Sequence, residues 1–310
     1  MRRHLSTPYA LLIGALALGG LAAVAHRSAA DENAPAESTE PKAVEIDVND
    51  CMTCHESTVA GMQHTYHATV DKQCAACHGN LSEHLSSVLS SGEPGPVISV
   101  KRLTPTEANT VCLGCHDKHR QAAWEGGVHD RKGVACITCH SVHNFKSAKA
   151  QLKEAKESDN CFQCHKQIRS KTMRISHHPI REGLMGCSSC HDPHNGTRRK
   201  MIKADWTNEL CYTCHTEKRG PFLWEHAPVR EDCLNCHDPH GSNNEKLLVA
   251  RQPYLCQRCH LNTRHPGTLY DLRNAATGPS VSNRAVEHAC RNCHQNIHGS
   301  NAPSGPYLGR

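Results

Sequence analysis

The chain has 310 residues, 37% of them apolar and 4% aromatic, with 20 cysteines and 26 histidines. So few apolar side chains make a poor core for that length, which argues against two ordinary domains unless something other than side chains fills the interior. The formal charge of +5 drops to +2 when Arg2, Arg3 and Arg27 of the opening segment are set aside, too slight a balance to mark a nucleic-acid-binding protein.

Arg2 and Arg3 precede an apolar run from Ala10 to Ala25, followed by Ser28-Ala29-Ala30 before Asp31, with Ala23-Val24-Ala25 as an earlier cleavage option. This is the pattern of a secretory signal peptide over residues 1–30, and the run is shorter than the roughly 20 apolar residues that span a bilayer. The expected mature chain is exported and soluble by itself. Residues 31–50, rich in Glu, Ala, Pro and Asp, read as a flexible acidic lead-in with little to bury.

From Cys51 onward the chain repeats C-x-x-C-H. The copies are Cys51, Cys54 and His55; Cys74, Cys77 and His78; Cys112, Cys115 and His116; Cys136, Cys139 and His140; Cys161, Cys164 and His165; Cys187, Cys190 and His191; Cys211, Cys214 and His215; Cys233, Cys236 and His237; Cys256, Cys259 and His260; Cys290, Cys293 and His294. This is the attachment signature of a c-type haem: one turn of chain carries both sulfurs to the porphyrin vinyl groups and the imidazole to the iron. Zinc ribbons, iron–sulfur sites and disulfide scaffolds also use C-x-x-C, but none needs histidine after every pair. Ten such additions by chance have a probability on the order of 10⁻¹¹. Ten covalent haem c groups are therefore expected, and they supply the missing apolar surface. Their propionates would bring the oxidised protein to a charge of about −8, with lysines and arginines as propionate partners.

The motifs fall into five pairs, giving an internal repeat of two-haem units near residues 51–84, 112–143, 161–194, 211–240 and 256–298 within a haem domain spanning 51–310. Thr104-Pro105-Thr106-Glu107 predicts a capped helix running into Cys112. Ser147 to Glu157, alternating Ala with Lys and Glu, predicts a short solvated helix, and no stretch predicts a sheet. The fold class is a multihaem cytochrome c, mostly coil with short α-helices around ten stacked haems in an extended wire.

Fourteen histidines outside the leader are not in motifs. One trails the second motif of each pair: His84, His143, His194, His240 and His298. One precedes it: His67, His129 and His226 stand seven residues before their cysteines, and His177 is selected over His178 by aligning His177-His178-Pro179 with His226-Ala227-Pro228. In the fifth unit His265 is selected over His288, which lies only two residues before Cys290. These ten are the expected sixth ligands; His64, His119, His178 and His288 are expected to be surface or propionate-bonding residues, and no methionine is needed.

The ten motifs, the Cys-His-Asp-Pro-His pieces at Cys190 to His194 and Cys236 to His240, and the ending from Cys293 through His298 to Gly305 resemble the MtrA/DmsE family of decahaem cytochromes. The resemblance implies a periplasmic electron carrier, associated with the outer membrane and seated in a large β-barrel porin. It further implies an outer-surface multihaem cytochrome as partner; a periplasmic or inner-membrane cytochrome is the expected redox partner, and the charge balance argues against nucleic acid. Two alternatives share the motifs: a soluble periplasmic shuttle serving a terminal reductase, and a multihaem reductase of small nitrogen compounds, which would need an iron with an open position. With every iron six-coordinate, the expectation is an electron-transfer protein with no catalytic residue.

Overall fold

The computed structural model describes residues 47–70, 73–260, 289–303 and 305–309. Among them are short α-helices and 3-10 turns joined by bends, with no strand and only six isolated bridges. The longest helix, Val48–Gln63, begins inside the segment expected to be a flexible lead-in, because Asp47 and Asp50 form a capping box around its first turn. It carries Cys51 to His55 and kinks at His55 (φ −119°, ψ 36°). The predicted helix start at Thr104 is present: Thr104 and Glu107 cap Pro105–Leu113 reciprocally, a device that contributes about 1 kcal/mol.

Protein side chains bury little of each other. The buried apolar residues are Val59, Met62, Leu81, Ala108, Trp124, Ala135, Phe162 and Leu308, scattered from one end of the described chain to the other. Ile175, Leu184 and Trp206 are largely exposed. Such a set cannot offset the conformational entropy of more than two hundred ordered residues, so the chain's own atoms leave the interior unfilled.

The repeat is visible in the backbone. After the second motif of units 2, 3 and 4 the chain makes the same loop: turns at Lys149–Gln151, Arg199–Met201 and Glu245–Leu247 each hold two successive non-glycine residues at positive φ, Ala150 and Gln151, Lys200 and Met201, Lys246 and Leu247. Each such residue costs about 1–2 kcal/mol. The loops close back on their own motif through the bridges His140 to Leu152, His191 to Ile202 and His237 to Leu248. The solvated helix expected over Ser147 to Glu157 is therefore corrected: its alanines and lysines have helix propensity, but this segment turns at Ala150 to return to His140, and an α-helix starts only at Glu157.

Neighbouring units are joined by short backbone pairings. Ser176 bridges to Ser242 and Trp224 to Ser300; in the preceding boundary Gly196 N donates to Ala123 O at 3.2 Å. Glycine is required at these crossings. Gly241 sits at φ +144°, and a Cβ there would run into the carbonyl oxygen of Lys171.

Candidate haem sites

The motifs are numbered here as sites 1 to 10 in chain order. From site 3 onward each motif is a single closed turn, with the histidine N–H donating to the first cysteine's carbonyl at 2.9–3.0 Å. No two of the 20 cysteines are joined in a disulfide. Among the described residues, no three Cys, His, Asp or Glu side chains converge as a zinc or iron–sulfur site would require. Within each unit the first cysteines of the two motifs are neighbours, close enough for each to perturb the other's thiol: Cys112 and Cys136, Cys161 and Cys187, Cys211 and Cys233, and likewise Cys51 and Cys74, and Cys256 and Cys290. Burial pushes the thiols of Cys77, Cys139, Cys190 and Cys236 up, and each also feels a cysteine of the next unit's first motif. Consecutive sites are thus neighbours in chain order.

Side chains that sequence reasoning missed hold the paired motifs together. Asn109, 3% exposed, accepts from Cys136 N at 2.8 Å and donates to Val134 O. Asn208 does the same for Cys233 N and Val229 O, and in unit 3 Glu157 accepts from Ser188 N and Oγ. The available signal was an asparagine three residues before the first cysteine of units 2 and 4.

Nine motif histidines face a second imidazole at nearly one distance. The ring centroids are separated by 6.4 Å for His55 and His84, 6.3 Å for His78 and His143, 6.0 Å for His116 and His67, 5.9 Å for His140 and His194, and 6.2 Å for His165 and His129. They are 6.1 Å for His191 and His240, 6.3 Å for His215 and His178, 6.2 Å for His237 and His298, and 6.1 Å for His260 and His226. Two trans metal–imidazole bonds of about 2.0–2.1 Å, each with a ring centre about 1.15 Å behind its nitrogen, give about 6.3 Å. The gap fits an iron between the rings.

Hydrogen bonds select which ring nitrogen faces that gap. Nδ1 of His78, His140, His191, His237 and His294 donates to the carbonyls of Ile98, Ala150, Lys200, Lys246 and Tyr307 at 2.7–2.9 Å. Among the facing histidines, Nδ1 of His84, His129, His178 and His226 donates to Gly95, Pro193, Pro239 and Ile297 at 2.8–3.1 Å. An Nδ1–H so engaged leaves Nε2 as the lone-pair nitrogen a metal needs. Burial holds His143, His226 and His240 below the ordinary imidazole value and His298 down to about 4, keeping these rings neutral. The buried indole N–H groups of Trp124 and Trp224 lack an acceptor, and a haem propionate would supply one.

Eight of the ten expected sixth ligands are set opposite a motif histidine. His265 lies outside the described residues. His177 is corrected to His178: both His177 nitrogens are engaged, Nδ1 with Arg174 O at 2.6 Å and Nε2 with Glu182 Oε1 at 3.0 Å, and that carboxylate raises its pKa. The backbone register explains the slip. His178 stands two residues after the bridging Ser176, as His226 stands two after the bridging Trp224; the shared proline was the wrong landmark.

Two family profiles match the chain: the doubled CXXCH motif over residues 177–220 and 226–265, and the NrfB-like cytochrome c-type protein over residues 74–157. It is 40% identical over 275 residues to the multihaem cytochrome MtrA of Shewanella baltica, covering 84% of this chain and 80% of that protein. The chain belongs to the MtrA family of multihaem c-type cytochromes. It is also 31% identical to the cytochrome c-type protein NrfB of Escherichia coli over 39% of this chain and 66% of that one. The high-molecular-weight cytochrome c of Nitratidesulfovibrio vulgaris is 27% identical over 50% of this chain and 26% of its own length. As a member of the MtrA family the chain binds haem c covalently through its C-x-x-C-H turns and serves electron transfer.

Proposed function

We propose that this MtrA-family chain carries ten haems, each held between two histidines, and conducts electrons across the outer membrane. The nine facing imidazole pairs carry the reading. The motif histidines supply one ligand. His84, His143, His67, His194, His129, His240, His178, His298 and His226 supply the other at sites 1 to 9, and His265 does so at site 10. Bound haem supplies one-electron exchange between ferric and ferrous iron. At every site but site 3 the chain fixes one of the imidazoles by an Nδ1 hydrogen bond to a backbone carbonyl, which limits the rearrangement that accompanies a change of charge. It also sets consecutive sites side by side, which matters because transfer falls steeply with separation.

Two histidines at each site would hold both faces of the iron and leave no position for a small-molecule substrate, which disfavours the reductase reading. The chain would be exported by its signal peptide to the periplasm, where c-type haem is attached. A polar exterior with no described helix long and apolar enough to cross a membrane suits the water-lined interior of a large β-barrel porin. The resemblance adds the porin, an outer-surface multihaem cytochrome and a periplasmic or inner-membrane donor or acceptor as partners. The soluble shuttle is the second reading, favoured by the NrfB-like match over residues 74–157.

Mass spectrometry of the purified protein is expected to give the apo-mass plus ten haems, and EPR an essentially low-spin ferric population. In liposomes loaded with a redox dye, the cytochrome with its barrel passes electrons from external dithionite while neither component alone does. Residence wholly in the soluble periplasmic fraction despite a co-expressed barrel would replace the conduit by the shuttle.

A further inference from the structure

The two Cys-His-Asp-Pro-His segments place a carboxylate beside the imidazole that faces the preceding even-numbered site. At site 4, Asp192 Oδ1 accepts from His194 N at 3.2 Å and stands 3.9 Å from His194 Nδ1. At site 6, Asp238 Oδ1 accepts from His240 N at 3.1 Å and stands 3.6 Å from His240 Nδ1. One difference in charge separates the two arrangements. Asp238 Oδ2 also receives Lys171 Nζ at 2.7 Å, across a boundary between units, with the lysine 36% and the aspartate 19% exposed. Among the described residues no lysine or arginine pairs with Asp192.

A carboxylate that accepts from the Nδ1–H of a ligand histidine makes that ring a stronger donor and favours the ferric state. At 3.6 and 3.9 Å neither Asp238 nor Asp192 is close enough to accept a good hydrogen bond from its imidazole, so the two sites differ in charge and not in that bond. Reduction of a haem adds one negative charge, so the ammonium favours it and an unpaired carboxylate opposes it. We propose that Lys171 is a positioning residue that raises the reduction potential of site 6 by neutralising Asp238, and so sets site 6 apart from site 4. The inference rests on the axial pairing of His191 with His240 given above.

The test uses full-length holoprotein with Lys171→Met, Asp238→Asn, both together, and Lys171→Arg. Each is followed by a potentiometric titration of the α-band, with the wild-type curve subtracted, and by EPR of the ferric protein. Lys171→Met shifts one haem's share of the amplitude to lower potential and Asp238→Asn shifts one share to higher potential. The double variant returns near wild type, and Lys171→Arg stays there. The low-spin haem count is unchanged throughout. Shifts of the same sign in both single variants, no shift in either, or a shift spread over many haems would overturn the proposal, as would Lys171→Arg behaving like Lys171→Met. His240→Ala separates the two claims: a high-spin haem there with no potential shift in the Lys171 and Asp238 variants sinks this inference alone, whereas a fully low-spin His240→Ala protein sinks the axial pairing.

Discussion

Replacing His178 by alanine should remove one sixth ligand and nothing else from the array. The His178 ring lies 6.3 Å from that of His215, and its Nδ1 donates to Pro239 O at 2.8 Å in the following unit. Its loss takes away one iron bond and one hydrogen bond, the latter a net contribution of about 1 kcal/mol. One site in ten changes, so about one tenth of the haem should convert from low to high spin in EPR and resonance Raman. His177→Ala breaks the bonds to Arg174 and Glu182 and leaves the spin state intact, since both nitrogens of that ring are already engaged. Neither can His177 substitute for His178 without a one-residue slip of the bridge between Ser176 and Ser242, which would orphan both backbone bonds, at 2.8 and 3.0 Å. High spin in His177→Ala with an unaltered His178→Ala protein would refute the structural register and restore the alignment on proline.

His84→Ala should make site 1 alone high spin, because His84 faces the first motif of its own unit; the readout is the same EPR experiment, with potentials of the remaining haems unshifted. Asn109→Ala removes an acceptor from Cys136 N and a donor to Val134 O in a nearly closed position and should cost about 1–3 kcal/mol, seen as a lower unfolding temperature of the holoprotein with an unchanged haem count. Asn208→Ala should cost less, its site being more open to water. Gly241→Ala places a Cβ against Lys171 O in a backbone region that favours glycine; about 1–3 kcal/mol of strain is expected, measured as lost thermal stability and as partial high-spin signal from sites 6 and 7, whose facing imidazoles flank that crossing.

What the sequence made legible is local chemistry. A C-x-x-C-H turn closes within five residues, so its hydrogen bonds and its covalent role need no information from elsewhere, and the capping box at Thr104 is legible for the same reason. The trailing histidines could be singled out because they follow the motif at short range. Their destinations could not: His143 faces His78 in the unit before its own, a choice made by packing over sixty residues of chain. The His177 slip has the same origin, since the landmark that fixes register is a bridge to Ser242 rather than anything beside Pro179. Propensity misread Ser147 to Glu157 because the loop's task is to deliver the Ala150 carbonyl to His140 at 2.7 Å, which a helix would withhold.

Pairing of imidazoles between units gives the array its order. At each boundary the preceding histidine of one unit faces the first motif of the next: His67 with His116, His129 with His165, His178 with His215, His226 with His260. The trailing histidine of the later unit faces back to the second motif of the earlier one: His143 with His78, His194 with His140, His240 with His191, His298 with His237. Each boundary is therefore crossed twice in opposite directions, and each unit relies on its neighbour for facing imidazoles. His84 becomes intelligible on this pattern. The helix Ser82–Ser91 carries it back to His55 of its own unit, and that different destination goes with its departure from the trailing spacing of the other units. Reciprocal crossing also ties the separation of adjacent sites to backbone pairs such as Trp224 with Ser300 rather than to flexible linkers. A carrier whose transfer rate depends steeply on distance needs that constraint at every junction, because its slowest step limits the whole path.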